Sequence, residues 1–275
     1  MNRLRLPRPR VTHALLRAAE FPVTAVVAPA GFGKTVALGD YLATERIDHI
    51  RYDVRSDHHT LFEFVRGFAE ALQARVPSAL GSFAGAQERA MAGSDAPSDL
   101  ARWLLEHLSA GMTVVVDDLH NAAPDPLSIV FLANIIERSY DRVRWIIASR
   151  SALELPIASW IAYEKMEAPV DEGTLRFTSA EALAAAQDAP VGDDGAQELL
   201  RLTDGWPVAF SIALRSSARI DDLAKLADGT REMIYRYLAE QVYQRLPAGE
   251  QELLLQTCVY TSLDREIFEQ RGDDP

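Results

Sequence analysis

VVAPAGFGKTVAL, residues 26–38, is the stretch on which the fold turns. A β-branched apolar run enters a glycine-bearing loop, and the loop opens straight into a helical pattern. A phosphate cradle needs consecutive backbone N–H groups aimed at one point, at the positive end of a helix. It also needs a lysine to reach the β/γ-phosphates and a hydroxyl for Mg²⁺. Gly31, Phe32, Gly33, Lys34, Thr35 and Val36 supply these parts in order. The strict pattern wants a glycine five residues before Gly33, where this chain has Ala28 followed by Pro29. Pro29 lacks an N–H, but it precedes the donating amides. Ala28 matters only if its φ must be positive, where a Cβ costs roughly 1 kcal/mol. The segment reads as a nucleotide loop, the plainer alternative being a helix-start turn.

Working outward, two more short apolar runs of strand length follow, Met112–Val116 and Val143–Ala148. Continuous β-branched runs of this kind suit strands buried on both faces of a parallel sheet. Helical patterns lie between them at Thr35–Leu42, Leu61–Val76, Leu100–Leu108 and Leu127–Ile136, and the alternation predicts an α/β doubly wound domain. Arg51–Val54 and Leu175–Phe177 are weaker strand candidates, and Gly81–Pro97 is small and polar and reads as a mobile stretch. Beyond about residue 178 the pattern turns all-helical, with Ser179–Gln187, Ala196–Leu202, Val208–Ser216, Thr230–Arg245 and Ala248–Thr257 separated by Gly- or Pro-containing turns. The connection at Val170–Thr174 then sets a nucleotide-binding domain at 1–174 apart from an all-helical remainder.

Composition narrows the function classes. At 275 residues with 48% hydrophobic and 25% charged residues, the chain is an ordinary globular protein. Its net charge of −12 argues against nonspecific nucleic-acid binding, the local exception being Arg3, Arg5, Arg8 and Arg10 at the start. The lone Cys258 cannot close an intrachain disulfide, which fits a reducing cytoplasm, and its helical position predicts an apolar, structural role. No run approaches the ~20 apolar residues of a membrane helix, and no targeting segment stands out. Only Lys34, Lys165 and Lys225 are lysines among 28 basic residues, so a lysine inside the glycine loop is a pointed choice.

A phosphate loop needs an acidic residue at the end of a neighbouring strand to hold the metal's water shell. Thr113-Val114-Val115-Val116-Asp117-Asp118 supplies one: Asp117 is the candidate magnesium anchor with Thr35, and Asp118 the candidate for polarising the attacking water. Trp145-Ile146-Ile147-Ala148-Ser149 ends in Arg150, a cation that could contact the γ-phosphate, its alternative being a surface ion pair. Lys34, Asp118 and Arg150 are thus the catalytic candidates. His58-His59 lack a third ligand at suitable spacing and are set aside as a metal site. Trp103, Trp145 and Trp160 read as core, and Trp206 as packing between domains.

Together these residues resemble the STAND class of signal-transducing P-loop ATPases, and more narrowly the LuxR-type large ATP-binding regulators of the maltose-regulon-activator kind. The matching pieces are Arg8-Pro9-Arg10-Val11, APAGFGKT, VVVDDLH, the strand ending IIASR, LRFTSAEA at 175–182, TDGWP at 203–207 and YLAEQVYQRLPAGEQELLLQT at 237–257. Val36 departs from the second threonine usual there, while Thr35 is kept. The resemblance implies a five-stranded parallel sheet in which the Asp117 strand is separated from the loop strand by the strand ending at Arg150. It also implies a helical domain at 175–218 and the start of a winged-helix domain at 219–275. Arg10, just before the first helix, would line the adenine or ribose pocket, and Pro207 of the Gly205-Trp206-Pro207 turn would pack near the adenine. ATP or ADP with Mg²⁺ would be the cofactor, hydrolysis slow, and the output a transcriptional switch with an unknown inducer and self-association in the ATP state. DNA would be met only through a C-terminal domain, and the chain is expected to be part of a longer protein. A non-hydrolysing nucleotide scaffold and an ATP-driven remodelling enzyme are the competing expectations.

Overall fold

The computed structural model describes residues 6–58, 60–122, 124–187, 189–217, 232–240, 243–246 and 248–258. Five parallel strands form one sheet: β1 (Val23–Val27), β2 (Ile50–Asp53), β3 (Thr113–Asp117), β4 (Arg144–Ser149) and β5 (Val170–Asp171). Their order is β2-β3-β4-β1-β5, so the Asp117 strand is separated from the loop strand by β4, as expected. This is the α/β architecture that the alternating pattern predicts, with the five-stranded order that the resemblance implies.

Around the sheet run α1 (Pro9–Ala18), α2 (Lys34–Thr44), α3 (Leu61–Leu72), α4 (Pro77–Ala92), α5 (Ala96–Leu105), α6 (Pro126–Glu137), α7 (Ile157–Ala162) and the single turn α8 (Glu172–Leu175). Successive residues of β3 point to opposite faces. Val114 and Val116 join the core beneath α3, α5 and α6, with Phe64, Phe68, Phe131, Trp145 and Trp160. Val115 joins the other core, where Leu15 of α1 and Leu38, Tyr41 and Leu42 of α2 cover the sheet. Burial of both faces explains why the strands are continuously apolar. Trp103, Trp145 and Trp160 are all buried, as expected of core residues.

A third cluster is all-helical. α9 (Ser179–Ala186), α10 (Gly192–Thr203) and α11 (Pro207–Ser217) close over Phe210, Leu199 and a set of alanines. Arg8 ties this region to α1: its guanidinium donates to the carbonyls of Leu175 and Arg176, pairs with Glu181, and lies over the Phe177 ring. Residues 232–240 are helical (α12), and α13 spans Ala248–Thr257. Much of the expected 219–275 segment, including residues 219–231 and 259–275, lies outside the described residues.

Four local expectations are corrected. The fifth strand is Val170–Asp171, paired to Val26 and Val27, and Leu175–Phe177 is no strand, because Leu175 closes α8. The stretch 81–97 is mostly helix, since α4 runs to Ala92 and α5 begins at Ala96. Arg10 lies inside the first turn of α1 rather than before it. Cys258 is exposed, its thiol donating to the Leu255 carbonyl, because α13 turns Leu254, Leu255 and Cys258 outward among the described residues. No helix of the described residues is long and apolar enough to cross a membrane.

Candidate functional site

The glycine loop connects the end of β1 to the first turn of α2. Gly31 (φ 81°) and Gly33 (φ 78°) take the left-handed backbone that only glycine adopts cheaply, and Gly33 is the N-cap of α2. Ala28 and Pro29 do not share that conformation, since among the described non-glycine residues only Arg46, Asp118, Leu153, Glu164 and Asp204 have positive φ. The missing glycine therefore costs nothing. Ala28 is instead buried, its amide donating to the Ser149 carbonyl at 3.2 Å, which ties the loop to the end of β4.

Lys34 folds back across the loop, its Nζ donating to the Ala28 carbonyl at 2.7 Å and the Pro29 carbonyl at 3.2 Å. The side chain is thereby held at the centre of the cradle with one N–H left for a phosphate. Burial lowers the Lys34 pKa from its ordinary value, Arg150 lowers it further, and Asp118 and Asp117 oppose them. A partly dehydrated ammonium pays less on meeting an anion than one still fully hydrated.

Thr35 Oγ1 donates to Asp117 Oδ2 at 2.8 Å, although the two residues are 82 positions apart. Asp117 ends β3 and is fully buried, and its second oxygen accepts the Asp118 amide at 2.8 Å. Asp118 itself sits at φ 55°. Such strain persists only where the surroundings fix the residue. Burial and then Asp117 raise the Asp118 pKa, while Lys34 and Arg150 pull it down. Lys34, Thr35, Asp117, Asp118 and Arg150 thus form one charged cluster at the C-terminal ends of β1, β3 and β4. Ligands of open α/β sheets bind at that edge.

The donor set fits a nucleotide with its metal: a hydroxyl beside a buried carboxylate, a lysine, and amides at a helix start. No group of three or more His, Cys, Asp or Glu able to hold a metal by itself occurs among the described residues. Such a metal would lean on phosphate oxygens as well as on Thr35 and Asp117.

Beside the loop lies a cleft of about 410 Å³ whose lining includes Arg8, Val11, Gly31, Gly33, Val36, Asp40, Phe177 and Pro207. Pro207 starts α11 and is buried. Val36 is 57% exposed and faces this opening. Phe32 contributes its backbone only, for its ring is buried near Trp206. Arg10 stands apart from the cleft lining, donating to the Arg176 carbonyl and pairing with Glu181, and Arg8 takes the cleft position instead.

Two contacts join the helical region to the loop. Trp206 Nε1 donates to the Ala30 carbonyl at 3.1 Å, and the Val208 amide donates to the Gly31 carbonyl at 3.1 Å. A Cβ on Gly31 would meet Val208 at 2.3 Å and Trp206 at 2.8 Å, so only glycine fits between the loop and α11. Trp206 was expected to pack between domains; its bond to the Ala30 carbonyl was not foreseen. Arg51 was missed as a site residue: its guanidinium donates to Asp117 Oδ2 at 2.5 Å and to Asp53 Oδ1 at 2.7 Å. The sequence did hold a signal, because Arg51 and Asp53 alternate on a strand and so share one face.

No protein-family model matches the chain. It is similar to the serine/threonine-protein kinase PknK of Mycobacterium tuberculosis, 25% identical over 266 residues covering 92% of this chain and 23% of that protein. It is also similar to the HTH-type transcriptional regulator MalT of Vibrio parahaemolyticus, 24% identical over 282 residues covering 94% of this chain and 30% of that protein. The chain therefore spans less than a third of the length of these relatives. Among solved structures, the Walker-type ATPase PABY2304 of Pyrococcus abyssi superposes with a TM-score of 0.58 at 16% identity, over 87% of this chain and 75% of that one. The STAND protein PH0952 of Pyrococcus horikoshii, which carries a tetratricopeptide-repeat sensor, gives a TM-score of 0.53 at 18% identity, over 98% of this chain and 37% of that one. The fold is that of a P-loop ATPase, and the relatives bear out the resemblance to STAND proteins and LuxR-type regulators.

Proposed function

We propose that the chain is the nucleotide-sensing module of a LuxR-type, STAND-class transcriptional regulator: it binds ATP or ADP with Mg²⁺, turns over slowly, and uses nucleotide state to govern conformation and self-association. The observation that carries this reading is the pair of hydrogen bonds from Trp206 and Val208 onto the carbonyls of the phosphate loop. A helical region that grips the loop feels whatever the loop holds. The proposed division is a nucleotide-binding domain at 1–174, a helical domain at 175–218, and the start of a winged-helix domain at 219–275.

In this reading the amides of Gly31–Val36 bind the phosphates, with Lys34 reaching the terminal oxygens. Mg²⁺, when bound, would neutralise phosphate charge, and Thr35 with Asp117 would hold it. Asp118 would accept the proton of the attacking water, and Arg150 would meet the charge of the γ-phosphoryl group. Pro207, Val36 and Arg8 would border the base and ribose, with Arg10 supporting that wall through Glu181. An inducer, self-association in the ATP state, and DNA contact through a separate C-terminal domain complete the proposal. The kinase activity named for one relative is not carried over, because the chain spans only 23% of that protein.

Binding of fluorescent ATP and ADP analogues, followed by single-turnover hydrolysis, tests the proposal. Lys34→Ala should weaken both affinities by at least about tenfold, since a charge-assisted phosphate contact contributes roughly 1.5–3 kcal/mol. Unchanged affinity would sink the phosphate-loop assignment. Tight binding with no hydrolysis in a single turnover would instead favour the non-hydrolysing scaffold.

A further inference from the structure

Asp117 is buried and already fully engaged. Its Oδ2 accepts from both Thr35 Oγ1 at 2.8 Å and Arg51 at 2.5 Å, and its Oδ1 accepts the Asp118 amide at 2.8 Å. A buried carboxylate needs a compensating charge, and Arg51 supplies it. Arg51 comes from β2, whose register sets Arg51 against Val115 and Asp53 against Asp117 on β3. That register places the guanidinium on the same face of the sheet as Asp117 and α2. The cation therefore covers the very oxygen that, with Thr35, would face a divalent metal or its bound water.

Arg51 also has a second seat. Its Nε already donates to Asp53 Oδ1 at 2.7 Å, and the Asp53 side chain is 62% exposed. A guanidinium displaced from Asp117 can rotate toward Asp53 and water without losing every partner. An exposed pair of this kind is worth little, so the second seat is a cheap resting place and no trap.

We propose that Arg51 is a positioning residue, the resident counter-cation of Asp117, which a divalent metal must displace. Arg51 thereby sets how much Mg²⁺ is needed for tight triphosphate binding. It spares the apo site an uncompensated buried charge and raises the metal threshold of the ATP-bound state. The proposal rests on the nucleotide-binding function above.

The test titrates Mg²⁺ into the full chain with a fluorescent ATP analogue, and separately follows thermal stability with Mg²⁺ alone. Arg51→Gln should lower the half-saturating Mg²⁺ by about three- to tenfold, which corresponds to roughly 1 kcal/mol of competition removed. It should also lower the melting temperature without metal and recover more of it than wild type when Mg²⁺ is added. Arg51→Lys, which keeps the charge, should restore most of the wild-type threshold. Asp53→Ala, which removes the second seat, should raise the half-saturating Mg²⁺, and this reading stands even if Arg51→Gln does not fold. A purely structural Arg51 would lower the melting temperature and leave every Mg²⁺ threshold where it was, which overturns the proposal. Failure of the wild-type chain to bind the analogue at any Mg²⁺ concentration strikes the nucleotide-binding function itself.

Discussion

His58 shows how one side chain ties burial to pH. Its Nδ1 lies 2.8 Å from the Tyr52 hydroxyl, which in turn reaches the Phe64 carbonyl at 3.0 Å, and Gly67 packs against the imidazole ring. Burial lowers the His58 pKa from its ordinary value, with Asp57 opposing from 3.9 Å. The unfolded chain therefore binds this proton more readily than the fold does. The contribution to stability is whole above the ordinary histidine pKa of about 6.5 and is lost as pH falls toward the lower folded value. His58→Gln should melt below wild type at pH 7.5, and the gap should narrow at pH 5. A gap that widens on acidification would refute this. The adjacent pair His58-His59 was set aside as a metal site in the sequence for want of a third ligand. The structure accounts for His58 as a buried partner of Tyr52, and His59 lies outside the described residues. The phosphate-loop residues were easier to read, because loop, lysine and hydroxyl are contiguous. Arg51 escaped because its partner lies 66 positions away and only the sheet register brings them together.

At the scale of elements, legibility followed the apolar contrast. β1, β3 and β4 are continuous β-branched runs and were plain. α4 was missed because its buried stripe is Ala79, Phe83, Ala86 and Ala90, and alanine hardly distinguishes a buried face from a loop. The edge strand β5 was misplaced because two residues give no period to read. The joint between α11 and the loop was foreshadowed by the Gly205-Trp206-Pro207 turn, yet the hydrogen bonds could not be. Trp206→Phe keeps a ring beside Phe32 and removes the indole donor to Ala30. Losing a bond worth about 1 kcal/mol should speed release of a bound ADP analogue roughly fivefold. Stopped-flow displacement measures this. An unaltered release rate would show that the helical region does not grip the nucleotide through this contact.

For the molecule as a whole, the two-faced core and the all-helical third cluster were visible as patterns, whereas the sheet order followed only from the family resemblance. How the helical cluster sits on the loop was not, because Arg8 reaching Leu175, Arg176 and Glu181 is a contact of three dimensions only. The net charge of −12 belongs at this scale too. It predicts that the 275-residue chain alone gives no sequence-specific footprint on DNA at physiological salt, since phosphate contacts require a concentrated basic face. A protected site under those conditions would mean that DNA reading is not confined to another domain.

The bonds from Trp206 and Val208 have a geometric corollary. The peptide links of the loop are trans, so each carbonyl points opposite to the N–H of the same planar unit. Holding the Ala30 carbonyl outward turns the Gly31 amide inward, and holding the Gly31 carbonyl does the same for Phe32. In the proposed function the helical cluster would aim the amides of the phosphate loop, and polarisation along each peptide would strengthen them as donors. Thermodynamic reciprocity then runs the other way: a phosphate that prefers aimed amides pulls the helices down by the same free energy.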